Sequence, residues 1–162
     1  MARPQGTPPR GLFWRISNYA DLSGEGGRLT SARWHTEGVS VVYLSDSPSS
    51  AMLERIVHLQ EGSGKLPQFY DLLRIVASDP VEIQELFPLV HVAWRDDVEL
   101  TRRLGDAWLA SLETPMARMP SAIVPHTWNY LLNPLHPDAG KVQIAEAIRE
   151  RFDNRLFGFG AL

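Results

Sequence analysis

Three side chains of complementary chemistry stand close together in the sequence: Arg33, Tyr43 and Glu54. A guanidinium grips phosphate through its two-pronged fork. A phenol ring offers a face for stacking, and a carboxylate stabilises a developing cation. Two of them have a plainer reading as well: Tyr43 as a core residue with a bonded hydroxyl, Glu54 as an ordinary residue at a helix boundary. Arg15 sits within the apolar run Leu12–Ile16. A charge there needs a partner, so Arg15 either reaches out of an edge strand or binds an anionic ligand. Ser121 follows Pro120. With no histidine at triad-like spacing it is not indicated as a nucleophile; it can hydrogen-bond a ligand or the backbone.

Other chemistries find little support. The chain has no cysteine, which excludes disulfides and thiolate catalysis and fits a reducing cytoplasm. Its five histidines show no paired ligand spacing, so no metal site is expected. No two carboxylates stand out as a glycosidase pair. A net charge of −3 and scattered basic residues argue against nucleic acid as a partner. No stretch is long enough to span a membrane.

The elements that must position these residues follow from the pattern. At 162 residues, 44% of them hydrophobic, one domain is the expectation. Proline-rich residues 1–10 read as a flexible leader, and 11–162 as the domain. Leu12–Ile16 predicts a first strand. Asn18–Gly38 lacks periodicity, and its run Gly24-Glu25-Gly26-Gly27 matches neither a Rossmann fingerprint nor a Walker loop. Val39–Leu44 predicts a central strand, Val41 and Tyr43 on one face, Val42 and Leu44 on the other. Ser47-Pro48 starts a helix reaching about Leu59, with Met52, Leu53, Ile56, Val57 and Leu59 as its apolar stripe and Glu54 at the border. Glu61–Gln68 reads as a loop, Phe69–Ala77 as a strand ended by Asp79-Pro80, and Leu89–Trp94 as extended. Asp97 caps a helix to about Leu112, with Leu100, Leu104, Trp108 and Leu112 as core. Pro120–Pro125 predicts a short strand and His126–Gly140 an ordered, packed loop. Lys141–Arg155 fits strand or helix. Apolar Leu156–Leu162 packs back on the fold or meets a partner.

The chain resembles the RES domain family, bacterial toxins that consume NAD. The likeness runs through Trp14-Arg15, Gly27-Arg28, Arg33-Trp34 with Gly38, Val42-Tyr43-Leu44, Glu54, Pro120-Ser121, Asn129–Pro134 with His136-Pro137, and Phe152-Asp153 with Arg155-Leu156. It implies an α+β, ADP-ribosyltransferase-like single domain with a twisted mixed β core and flanking helices. It implies Arg33, Tyr43, Glu54 and Ser121 as catalytic residues, and Arg15, Arg28, Arg33, Tyr43 and Asn133 as contacts to NAD, the substrate. It further implies a cognate Xre-type antitoxin as partner, a homodimer within that complex, a cytoplasmic setting, and strand pairing for Lys141–Arg151. NAD cleavage suits the residues: nicotinamide leaves neutral, so no general acid is needed, only grips for phosphate, ring and oxocarbenium-like ribose. Two departures from the family stand out, His35 where asparagine is common and Asn154 where proline is. Arg33-Trp34-His35 also resembles a subgroup that transfers ADP-ribose to a protein, which leaves water, phosphate or a protein side chain as acceptor. The alternative of another class is a non-catalytic, antitoxin-bound binding module, against which the presence of Arg33, Tyr43 and Glu54 together argues.

Overall fold

The computed structural model describes residues 11–60, 67–78, 80–87 and 93–160. The leader 1–10 and most of the Glu61–Gln68 and Leu89–Trp94 segments lie outside them. Seven strands form one mixed sheet: β1 (Leu12–Ser17), β2 (Val42–Ser45), β3 (Phe69–Ala77), β4 (Ile83–Glu85), β5 (Met116–Pro120), β6 (Trp128–Leu132) and β7 (Val142–Arg151). Their order is β4-β5-β6-β2-β1-β3-β7, with β4–β5 parallel and the other pairs antiparallel. Among the described residues three α-helices accompany the sheet, α1 (Glu25–Leu29), α2 (Pro48–Gln60) and α3 (Val98–Ser111). The class is α+β, as expected.

The β-branched run does place β2 at the centre of the sheet. Val42 and Leu44 pack with Phe13, Leu73, Tyr130 and Leu132 on one face. Val41 and Tyr43 pack with Trp34, Trp108 and Leu131 on the other. Strand alternation thus divides the core into two layers. Between β1 and β2 the sheet nearly divides as well. β1 pairs with β3 along its full length, yet meets β2 through one residue pair, Trp14 with Ser45. The strands therefore fork beyond that point. β1 is also no edge strand, which removes one of the two readings of Arg15.

Helix α2 starts where Ser47-Pro48 predicts, the Ser47 hydroxyl accepting from Ser50 N at 3.1 Å. Its buried residues are Ala51 and Ile56, whereas Leu53, expected in the apolar stripe, is 43% exposed. Asp97 caps α3 by accepting from Leu100 N at 2.9 Å. Leu112, expected in the core, is exposed instead, because it ends α3 in a left-handed conformation (φ 53°) that turns it off the buried stripe.

Two expectations fail between α3 and β7. The strand assigned to Pro120–Pro125 lies earlier, at Met116–Pro120, and residues after Ser121 turn back to β6. The segment read as a packed loop contains β6 itself. Trp128, Tyr130 and Leu132 face one layer and Leu131 the other, an alternation masked by the Asn and Pro around it. Lys141–Arg151 pairs as a strand, as the resemblance implied, and Phe157 packs back on Phe152 at 5.3 Å between ring centroids.

Candidate active site

Glu54 lies on the second turn of α2, which rests against β1 and β2. Its Oε1 accepts from Asn129 Nδ2 at 2.6 Å and from Ser121 Oγ at 3.1 Å. Oε2 accepts no hydrogen bond among the described residues. The Ser121 hydroxyl also accepts from Ile123 N and Val124 N, at 3.1 and 3.2 Å. With both lone pairs taken, its single proton is left for the carboxylate. Ser121 is 3% exposed and held by the turn it closes, so it orients Glu54. Asn129 stands opposite Ser45 across the β2–β6 pair, one step along the same face from Tyr43.

Tyr43 anchors the other end of this face. Its hydroxyl accepts from Trp34 N at 3.1 Å and lies 2.8 Å from His35 Nδ1. His35 Nε2 lies 2.9 Å from the Gly27 carbonyl oxygen. A carbonyl only accepts, so Nε2 carries a proton; in the neutral ring Nδ1 is then bare and the Tyr43 hydroxyl donates to it. The network is complete, and His35 is 1% exposed. Burial pushes the Tyr43 phenol above its ordinary value, against the pull of the Trp34 N–H and nearby Arg102 and Arg33.

Helix α3 positions the Arg33 loop. Thr101 Oγ1 donates to the Arg33 carbonyl at 2.6 Å, Arg102 Nε to the Ala32 carbonyl at 2.8 Å, and Asp106 accepts from Thr36 N at 2.9 Å. Gly105 permits this closeness: a Cβ there would stand 1.7 Å from the Trp34 carbonyl oxygen. Arg33 itself gives Nη1 to the Arg95 carbonyl at 2.6 Å.

The structure therefore gathers Tyr43, Glu54 and Ser121 along one sheet face, with Arg33 at its Tyr43 end. Arg15 enters the fork between β1 and β2, its Nη1 3.5 Å from the Tyr43 carbonyl oxygen. Arg28 is exposed on α1, and its carbonyl accepts from Gly38 N. Asn133 is 1% exposed, donates to the Leu109 carbonyl and accepts from Leu135 N. Sequence reasoning missed two participants, His35 and Asn129. The alternation Trp128-Asn129-Tyr130 was a usable signal for Asn129, since a polar residue inside an aromatic strand faces a polar partner. His35 stood out only as a departure from the family beside Arg33, which did not point to its bond with Tyr43.

A family model described as "RES domain" matches residues 12–153 of this chain. The chain belongs to the RES domain family. Among relatives of this RES chain is "Toxin Res" of Pseudomonas putida, 45% identical over 148 residues, covering 90% of this chain and 99% of that protein. "Prs ADP-ribosylating toxin" of a Sphingobium species is 36% identical over 157 residues, covering 89% and 95%. The RES fold is also seen in a chain from the crystal structure of the M. tuberculosis MbcT–MbcA toxin–antitoxin complex. That chain has a TM-score of 0.69 at 19% identity, with 87% of this chain and 84% of that chain covered.

Proposed function

We propose that this RES domain is a toxin that consumes NAD by breaking the bond between nicotinamide and ribose. The observation that carries the reading is the Glu54 carboxylate, fixed on one oxygen by Ser121 and Asn129 with the other oxygen uncommitted among the described residues. Neutral donors leave the carboxylate its charge. That charge is what an oxocarbenium-like ribose requires beside it, or what its hydroxyls donate to. Tyr43 presents its ring on the same face, its hydroxyl pinned by His35 and Trp34, for nicotinamide or its ribose. Arg33 and Arg15 hold phosphate. Arg28, exposed on α1, reaches the ligand from the rim, and Asn133 acts through the β6 end it fixes. Nicotinamide departs neutral, so the site needs no proton donor.

A second reading shares this chemistry and differs in the acceptor. The Sphingobium relative is named an ADP-ribosylating toxin, which favours a protein side chain over water or phosphate as acceptor. In either case the partner is an antitoxin of Xre type that covers the site, the assembly carries two copies of the chain, and the setting is the cytoplasm. Among the described residues, no helix is long and apolar enough to cross a membrane.

The test is nicotinamide release by the purified protein in water, in phosphate and in cell lysate with labelled NAD. Glu54→Ala is expected to remove nicotinamide release, NAD depletion in cells and growth arrest together. NAD depletion that persists in Glu54→Ala cells refutes the assigned role. Label on a protein assigns transfer, and free ADP-ribose assigns hydrolysis.

A further inference from the structure

Arg15 and Arg55 are two cations that feel each other's charge, with no carboxylate in ion-pair contact with either among the described residues. β1 lies between β2 and β3, so Arg15 cannot leave through a sheet edge. Its one hydrogen bond, to the Tyr43 carbonyl, is long at 3.5 Å. Arg55, on the α2 turn that carries Glu54, gives Nη2 to Asn18 Oδ1 at 3.1 Å. The Nε of each is buried and has no hydrogen-bond partner among the described residues. Neither arginine forms an ion pair among the described residues. The carboxylate whose field reaches Arg15 is Asp21, and it is held by Ser23 N and Oγ at 3.0 and 2.7 Å. Burial lowers the pKa of both guanidinium groups, and Arg55 lowers that of Arg15 further. Arginine does not give up its proton in proteins, so the two charges persist and repel. Buried donors without partners are rare and costly, and two forks with free Nε–H groups suit phosphoryl oxygens.

A cleft of about 250 Å³ opens beside Asn18, lined also by Phe69, Tyr70 and Arg149. Phe69 is 44% exposed, with the Arg149 guanidinium 5.4 Å from its ring centre. A free phosphate would leave this cleft empty, whereas a nucleoside diphosphate ester fills both places. We infer that Arg15 and Arg55 jointly bind the diphosphate of a dinucleotide whose nucleoside end runs into the cleft at Asn18. The inference rests on the NAD reading and adds a subsite to it, with Arg55 as a phosphate-binding residue.

The test uses Glu54→Gln protein, in which turnover is suppressed, with and without Arg55→Gln. ADP-ribose, nicotinamide riboside and inorganic phosphate are titrated by calorimetry. Arg55→Gln is expected to raise the Kd of ADP-ribose at least tenfold and to leave that of phosphate-free nicotinamide riboside unchanged. Arg55→Lys, which keeps the charge and loses the fork, falls between. Without ligand, the melting temperature of Arg55→Gln is expected to equal or exceed that of its parent, because a like charge is gone. A lower one marks Arg55 as a structural link to Asn18 and overturns the inference. An unchanged Kd for ADP-ribose overturns it while leaving the NAD reading intact. Loss confined to inorganic phosphate also overturns it, in favour of a free-phosphate site. If the parent binds none of the three and wild-type protein releases no nicotinamide, the NAD reading itself fails first.

Discussion

A single amide decides how the Glu54 carboxylate is presented. Asn129 Nδ2 sits 2.6 Å from Oε1, close for a hydrogen bond to a charged acceptor. A bond of this kind is worth about 1.5–3 kcal/mol. Asn129→Asp keeps the shape and exchanges the donor for a second carboxylate. Two carboxylates so close resist ionising together, so the pair keeps one proton to a higher pH than a lone carboxyl group does. When that proton sits on the introduced carboxyl group, it mimics the amide and donates to Glu54. When pH rises and it leaves, Glu54 faces a like charge. Nicotinamide release by Asn129→Asp is therefore expected to fall at least tenfold at pH 7 and to recover as pH is lowered toward 5. A rate–pH profile parallel to that of the wild type would show that Asn129 does not act on the carboxylate. The same residue marks the limit of reading the site from sequence. Arg33, Tyr43, Glu54 and Ser121 come forward by type and by resemblance. The bond joining Asn129 to Glu54 spans 75 positions, and no local pattern announces such a pairing.

At the scale of elements, sequence was most legible where a local rule acts alone. Ser47-Pro48 and Asp97 start their helices because a cap is satisfied within one turn. Val39–Leu44 reads as a central strand because both its faces are apolar. β6 was not legible, since its five residues are flanked by turn formers and it becomes a strand by insertion between β5 and β2. Helix α1 was equally hidden, being five residues long with two glycines. Gly105 shows how tertiary contact reverses a local preference. Alanine in a helix interior is favoured over glycine by about 1 kcal/mol. Here its Cβ would meet the Trp34 carbonyl oxygen at 1.7 Å, and backbone cannot swing aside as a side chain can. Overpacking of this kind costs roughly 1–3 kcal/mol or more. Gly105→Ala is expected to destabilise the protein by about 2 kcal/mol, read from the urea midpoint at constant slope. It is also expected to lower nicotinamide release, because α3 would lift from the loop it holds at Ala32 and Arg33. A stabilised Gly105→Ala protein would show that α3 and this loop are not in contact.

Across the whole molecule, the sheet separates two apolar layers, and each layer contains a tyrosine whose hydroxyl is enclosed. Tyr43 packs with the Trp34–Trp108 layer and Tyr130 with the Phe13–Leu73 layer. Burial raises both phenols, Tyr130 to about 12 even with Arg118 beside it. In the unfolded chain a tyrosine ionises near 10. Between these values the unfolded state has lost the proton and the folded state still holds it. The unfolded state then binds fewer protons, so stability falls as pH rises. The contribution is fully present below about pH 10 and is lost as pH climbs through the folded values. Each such tyrosine gives a slope of about 1.4 kcal/mol per pH unit in that window. Tyr130 allows the effect to be isolated. Its buried hydroxyl meets no partner at hydrogen-bond geometry among the described residues, and Arg118 beside it is already paired with Glu85, so removing the hydroxyl strands no other group. Tyr130→Phe is expected to match or exceed wild-type stability at pH 7, by up to about 1 kcal/mol. Above about pH 10 its melting temperature should decline less steeply than that of the wild type. The decline that remains belongs to Tyr43, whose hydroxyl is tied to His35 and Trp34 on the opposite face. Identical alkaline slopes in wild type and Tyr130→Phe would mean that water reaches the phenol, and that the layer around Phe13 and Leu73 is open where the structure closes it.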